Sequence, residues 1–149
     1  MSVSDLQLPY KIQDIPGKGQ GLVATRKLIP GKIIVTEKPL IVVDTGRAFK
    51  NVFPLYQSLT NGKKTTVLSL HDPGEGLNWK ACLMTETQLE RKILRIFEAN
   101  SISLCGSHQE MNINKSGLYP TISKINHSCS PNVVWPWLKE DSKKQIKQV

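Results

Sequence analysis

Cysteine, aromatic side chains and carboxylates are scarce in this chain, and long apolar runs are missing. Its three cysteines, Cys82, Cys105 and Cys129, are an odd number without framework spacing. That excludes a small disulfide-stapled scaffold and fits a reducing compartment, nucleus or cytoplasm. The longest aliphatic run, Leu40 to Val43, is too short to cross a bilayer, so no membrane partner is expected. Residues 1–10 hold no basic stretch followed by an apolar one, and no signal peptide is expected there. Against 20 basic residues stand only 12 acidic ones, a net charge of +8. Such a charge can attract acidic partners or nucleic acid. However, Lys63-Lys64 and Lys143-Lys144 are only pairs, and no aromatics alternate with them as a base-stacking platform requires. A solvated basic surface is the better reading, and nucleic acid is not expected as a partner.

What remains is enough for one domain with a core: 149 residues, 39% of them hydrophobic. The first third reads as short strands joined by tight turns. Tyr10 to Ile15 alternates partially and ends at Pro16-Gly17. Gly17, Gly19 and Gly21 follow, one residue apart. Glycine permits positive φ and close approach of a ligand to the main chain. A phosphate loop would need this turn to open a helix, whereas Leu22-Val23-Ala24-Thr25 is strand-like. Ile29-Pro30-Gly31-Lys32 is a Pro-Gly turn of the type II kind. Lys32 to Glu37 and Leu40 to Val43 are further strands.

The middle changes character. Val52 to Leu59 and Lys63 to Leu70 read as short helices either side of an Asn61-Gly62 turn. Thr85 to Ala99 is the clearest helix, with Thr85 as N-cap and Gln88 three residues on. Its stripe of Leu89, Ile93, Ile96 and Phe97 is expected in the core. Asn100 ends it, and Ser101 to Leu104 alternates like a strand. Val133 to Trp137 is a last strand, and Lys139 to Val149 is polar, lysine-rich and expected to be disordered or frayed. The fold class is therefore mainly β with inserted helices, α+β. The expected organisation is a flexible lead-in over 1–9, one domain over 10–138 with a helical insert at about 50–99, and a polar tail over 139–149.

Groups able to do chemistry concentrate in Ile122-Ser123-Lys124-Ile125-Asn126-His127-Ser128-Cys129-Ser130-Pro131-Asn132. Buried polar groups are costly without partners. Such a run just after Ile122 and Ile125 suggests a polar pocket built against a core, or else a polar loop with a satisfied histidine. On spacing alone the two readings stand level. Cys105, His108, His127 and Cys129 could offer four zinc ligands, but the H-x-C pair departs from usual zinc spacings, so no metal is expected. A Cys129-His127 hydrolase lacks an orienting partner. Adjacent His71 and Asp72 rarely meet usefully as a dyad.

Asn126-His127-Ser128-Cys129-x-Pro131-Asn132 resembles the NHSCxPN signature of SET-domain protein methyltransferases. A second block resembles the opening of the same domain, in the order the family uses. It comprises Gly17-Lys18-Gly19-Gln20-Gly21-Leu22-Val23-Ala24-Thr25-Arg26, then Ile29-Pro30-Gly31-Lys32-Ile33-Ile34 and Glu37-Lys38-Pro39-Leu40. Gly117-Leu118-Tyr119-Pro120 resembles the family's lead-in to the signature. The resemblance runs from about Lys11 to Trp137 and is weak in the middle.

The resemblance implies a fold of small curved β-sheets and S-adenosyl-L-methionine as cofactor. Its protein substrate would be a lysine, histone or non-histone. By position, Lys18, Gly19 and Gln20 in the turn match cofactor-contacting residues. Asn126 and His127 match the pair that holds the cofactor by side-chain and main-chain hydrogen bonds. Asn100 matches a pocket-lining asparagine, and Tyr119 is expected in the core. In the family a glycine-glutamate turn and a catalytic tyrosine follow the signature. Tyr10, Tyr56 and Tyr119 do not stand there, so no catalytic residue is assigned and a truncated form with little activity is expected. No cysteine cluster lies between Leu40 and Lys80 to build a MYND zinc finger, which suggests a SMYD-like protein without MYND. The alternative is a SET-like binding or regulatory module without catalysis.

Overall fold

The computed structural model describes residues 8–44, 48–74, 87–103, 115–134 and 144–148. In chain order its strands are β1 (Tyr10–Ile15), β2 (Gly19–Ala24), β3 (Ile33–Glu37), β4 (Ile41–Asp44), β5 (Ser101–Ser103), β6 (Lys115–Leu118), β7 (Val133–Val134) and β8 (Lys144–Gln148). Helices α1 (Ala48–Gln57), α2 (Asn61–Leu68) and α3 (Gln88–Asn100) lie between β4 and β5. Among the described residues, small antiparallel sheets with three helices make this an α+β fold, as the sequence implies. The chain forms two compact units: residues 1–38 with 124–149, and residues 39–123.

In the first unit β1 and β2 form a hairpin, with Ile15 opposite Gly19 and Tyr10 opposite Ala24. Its turn follows from two residues. Proline fixes φ at the first central position, and Gly17 takes φ 71° at the second. Lys18 N–H then closes the turn on the Ile15 carbonyl at 2.9 Å. The open end is tied by Thr25, whose N–H and hydroxyl donate to the carbonyls of Pro9 and Leu8, each at 3.1 Å. The Ile29–Lys32 turn forms as expected, with Gly31 at φ 80° and Lys32 N–H donating to the Ile29 carbonyl at 3.1 Å. It delivers β3 to a second sheet of order β3-β8-β7.

The central strand β8 corrects the expectation of a disordered tail. Lys144 to Gln148 pairs antiparallel with β3 on one side and β7 on the other. A segment with one apolar residue carries no hydrophobic alternation for sequence reading to detect. Main-chain hydrogen bonds to two neighbours make the strand regardless. Of the expected strand Val133 to Trp137, Val133–Val134 is a strand, and residues 135–137 lie outside the described residues.

The second unit holds the larger core. Sheet β4-β6-β5 pairs Ile41 and Ser101 with Leu118 on either side. Ile41, Val43, Leu118 and residues of all three helices bury together, among them Val52, Val67, Ile93 and Ile96. Each such aliphatic side chain contributes roughly 1.5–3 kcal/mol on burial. Asn61-Gly62, read above as a turn, is instead the first turn of α2, which reaches only Leu68.

Helix α3 is capped by Thr87, whose hydroxyl accepts from Glu90 N–H at 3.1 Å. That corrects the expected cap at Thr85, which lies outside the described residues. Thr87-x-x-Glu90 fits the capping-box pattern at least as well as Thr85-x-x-Gln88. Of the expected stripe, Ile93, Ile96 and Phe97 are buried, whereas Leu89 in the first turn is 44% exposed. Leu94 and Arg95 complete the buried face.

Candidate functional site

The glycine turn and the Asn-His block belong to the same compact unit, and they touch. Asn126 Nδ2 lies 3.4 Å from the Gln20 carbonyl, a long hydrogen bond. Lys124 Nζ donates to Gln20 Oε1 at 3.0 Å. The approach is close because residue 21 is glycine. A Cβ there would stand 2.6 Å from Asn126 Nδ2 and would overlap Ile15 Cδ1. Gly21 is buried, whereas Gly17 and Gly19 meet nothing within 4 Å and owe their identity to positive φ, 71° and 66°. The three glycines thus do two different jobs.

Beside this contact lies a cavity of about 1020 Å³. Ile15, Leu22 and Ala24 of the hairpin line one side, and Ile125, Asn126, His127, Pro131 and Val133 line another. Tyr10, Arg26, Lys27 and Ile34 also border it. The walls are mainly aliphatic, with polar groups from the Asn126-His127-Ser128 run and cations from Arg26-Lys27. This is the kind of pocket that holds a small molecule by apolar contact and orients it by a few polar atoms. Burial, and next to it the Glu37 carboxylate, push the Tyr10 phenol above its ordinary value.

Beyond Asn126 the block turns outward. His127 Nε2 is 3.4 Å from Cys129 Sγ, and both residues are exposed. Ser128 Oγ donates to the Ser130 carbonyl at 2.9 Å and accepts from Ser130 N–H at 3.2 Å, closing a tight local turn. Among the described residues no group of three His, Cys, Asp or Glu side chains could hold a metal. Cys82, Cys105 and His108 lie outside the described residues.

The six residues singled out in the sequence fall into three places. Asn126 and His127 line the cavity. Lys18, Gly19 and Gln20 do not border it, and Gln20 joins the arrangement through its carbonyl and its amide oxygen. Asn100 belongs to the other unit. There its Nδ2 donates to the His71 carbonyl at 2.8 Å and the Ile96 carbonyl at 2.7 Å. Asp72 is no dyad partner for His71. It takes both Arg95 Nε and Nη2, at 2.8 and 2.9 Å, and Gly74 N–H at 3.0 Å. Tyr119 is fully buried, as expected. Sequence reasoning missed Tyr10, Arg26, Lys27 and Ile34. The resemblance gave them no role, and no periodicity distinguishes a pocket wall from an ordinary strand face.

Comparison with known proteins agrees with the motif order. The family model described as SET domain matches residues 19–147. Over 128 residues the chain is 26% identical to the histone-lysine N-methyltransferase set5 of Schizosaccharomyces pombe. That alignment covers 86% of this chain and 34% of the relative, so the chain spans about a third of the relative's length.

Proposed function

The chain belongs to the SET domain family, and on that footing we propose that it is an S-adenosylmethionine-dependent protein-lysine methyltransferase domain whose Asn126 wall holds the cofactor. The single observation that carries the reading is the contact of Asn126 with the glycine turn at Gln20 and Gly21, at the edge of a cavity large enough for a nucleoside cofactor. The relative's printed name, a histone-lysine N-methyltransferase, supports a lysine side chain as acceptor.

The donor set fits such a cofactor. Aliphatic walls from Ile15, Leu22 and Ile125 suit an apolar ring face, and Asn126 and His127 supply polar atoms beside it. The buried, side-chain-free Gly21 lets Asn126 and Ile15 close onto the hairpin where its Cβ would otherwise stand. When bound, S-adenosylmethionine supplies a methyl group on a sulfonium, which passes in line to a neutral amine. The protein's own share is alignment. Fixing two reactants at contact distance lowers such a barrier by several kcal/mol, up to about 7–11. Removing water from an apolar channel favours the deprotonated lysine.

Lys18, Gly19, Gln20 and Asn100 remain assigned to the cofactor by resemblance. The lack of any cysteine between residues 40 and 80 supports a SMYD-like subgroup without the MYND finger. The sparse, unframed cysteines support nucleus or cytoplasm. Its three tyrosines, Tyr10, Tyr56 and Tyr119, all precede the Asn126-His127 block. Residues 1–149 alone are therefore expected to bind cofactor better than they turn it over. The alternative reading is a SET-like binding or regulatory module that keeps the fold without the chemistry.

Isothermal titration with S-adenosylmethionine tests the first reading. Saturable binding is expected, weakened at least tenfold in Asn126→Ala. A wild-type protein that binds no cofactor sinks it. Transfer of labelled methyl to peptide lysine separates enzyme from module.

A further inference from the structure

Lys124 and Asn126, two positions apart, reach the same residue of the hairpin. Lys124 Nζ donates to Gln20 Oε1 at 3.0 Å, and Asn126 Nδ2 lies 3.4 Å from the Gln20 carbonyl. All three residues belong to one compact unit. The two bonds are unequal. The Asn126 bond joins neutral groups and is longer than the usual range of about 2.7–3.2 Å. The Lys124 bond lies within that range and has an ionised donor, which makes such a bond roughly twice as strong. The stronger tether between the hairpin and the Asn126-His127 block is therefore a lysine that neither the motif order nor the family resemblance singles out. Lys124 closes a one-turn helix, Ile122–Lys124, and is half-buried, whereas Gln20 is exposed. Neither residue lines the cavity, but Ile125, Asn126 and His127 do. The tether thus stands outside the cavity and leaves its walls to the ligand. The fit beside it is close. Gly21 follows Gln20 directly, and a Cβ there would come within 2.6 Å of Asn126 Nδ2.

We propose that Lys124 is a positioning residue of the cofactor site: through the Gln20 side chain it holds strand β2 at the separation at which Ile125 and Asn126 form the cavity wall. The inference rests on the methyltransferase reading of the same site. A single contact sets a distance and leaves the strand free to pivot. Two contacts on one residue, one to its side chain and one to its main chain, set the angle as well. Without the Lys124 bond the hairpin hangs on the long Asn126 bond alone. The wall then has to be ordered by the ligand itself, and that ordering appears as lost affinity, because a site binds best when its supporting residues already hold it in place. Gln20 likewise contributes to binding through this tether, since its amide oxygen is engaged by Lys124. Lysine suits the role by its reach and its donor. Arginine keeps both, whereas methionine keeps an unbranched stem and removes the donor.

The test uses the 149-residue chain and three measurements on each variant: isothermal titration with S-adenosylmethionine, the urea midpoint, and amide hydrogen exchange across Lys18–Gly21. Lys124→Met is expected to weaken cofactor binding about fivefold, the worth of one lost hydrogen bond, to speed exchange in the hairpin and to leave the urea midpoint where it was. Lys124→Arg should restore wild-type affinity. Gln20→Ala breaks the same bond from the other side, so it should match Lys124→Met, and the double variant should be no weaker than either single one. Gln20→Ala also carries the test if Lys124→Met fails to fold. Lys11→Met, an equal loss of charge at an exposed position of β1, should change nothing. Unchanged affinity in Lys124→Met overturns the proposal. So does a lowered urea midpoint with affinity intact, which is a purely structural role, or additive losses in the double variant, which would put the two side chains on the cofactor separately. A wild type that binds no cofactor removes the methyltransferase reading and the cofactor role of Lys124 with it; faster hairpin exchange in Lys124→Met would still keep the tether. A wild type that binds, beside a Lys124→Met protein that binds equally well, removes the positioning role and keeps the methyltransferase reading.

Discussion

The side-chain amide of Asn126 lies 3.4 Å from the main-chain carbonyl of Gln20, across 106 positions of sequence. The residue that permits this is Gly21, where a Cβ would come within 2.6 Å of the same amide. Gly21→Ala should therefore destabilise by about 1–3 kcal/mol, the usual penalty for overpacking a filled site, and should weaken cofactor binding with it. Gly19→Ala meets no atoms, and its penalty is only that of a left-handed residue, about 1–2 kcal/mol. Urea denaturation reads both. A Gly21→Ala protein with unchanged midpoint and cofactor affinity would show that the approach is slack. Gln20→Ala keeps the carbonyl and should stay within about 0.5 kcal/mol of wild type.

Asn100 is assigned by resemblance to the cofactor, yet its amide hydrogens are committed to the carbonyls of His71 and Ile96. Asn100→Ala leaves the His71 carbonyl without that donor and should destabilise the chain by about 1–3 kcal/mol. Asn100→Asp should be worse, because an acceptor then faces two acceptors. Denaturation midpoints and titration with S-adenosylmethionine on the same samples separate the roles. A variant that loses cofactor affinity at unchanged stability contradicts the structural role.

Asp72 couples stability to acid. The Arg95 guanidinium holds its carboxyl at about 2, below the ordinary 3.8; partial burial opposes the shift and Gly74 N–H assists it. Because the folded carboxyl binds its proton more weakly than the unfolded one, this stabilisation is complete above about pH 4. It drains away as the pH falls through about 2. Asp72→Asn should flatten stability over that interval and lower it near neutrality, since Arg95, 10% exposed in its side chain, loses its carboxylate. Chemical denaturation at stepped pH checks the slope. A wild type and variant with parallel profiles from pH 5 to 2 would exclude the coupling.

Tyr10 should behave in the opposite sense. Its phenol is raised first by burial and second by Glu37. The folded state therefore holds this proton more tightly, and the associated stability is intact below pH 10 and lost as the pH rises past the raised value. Ultraviolet difference titration against Tyr10→Phe isolates the group. Glu37→Gln should bring its midpoint down only part of the way, because burial is the larger cause. A midpoint that falls all the way to the ordinary value would make Glu37 the main cause.

Much of this was legible in the sequence, for physical reasons that can be named residue by residue. Pro16-Gly17 and Pro30-Gly31 specify turns locally, since a fixed φ followed by a left-handed one leaves the chain little choice. The buried face of Ile93, Ile96 and Phe97 follows from helical spacing. The motif order from Gly17 to Asn132 named the family before any coordinate did. Other features have no local signature. Thr87 rather than Thr85 caps α3, though both head a plausible pattern. Leu89 is exposed although it keeps the helical spacing of the buried residues. Lys144–Gln148 becomes a central strand because two neighbours offer it unpaired main-chain groups, which no count of its own side chains reveals.

The site divides along the same line. Residue types and their order singled out candidate groups for a cofactor, because glycine torsions and side-chain donors are properties of single residues. Folding alone decided that Asn126 meets Gln20, that Tyr10, Arg26 and Lys27 wall the cavity, and that the Asn100 amide is spent on two carbonyls. Those are distances between residues far apart in sequence, and only the tertiary arrangement of strands sets them.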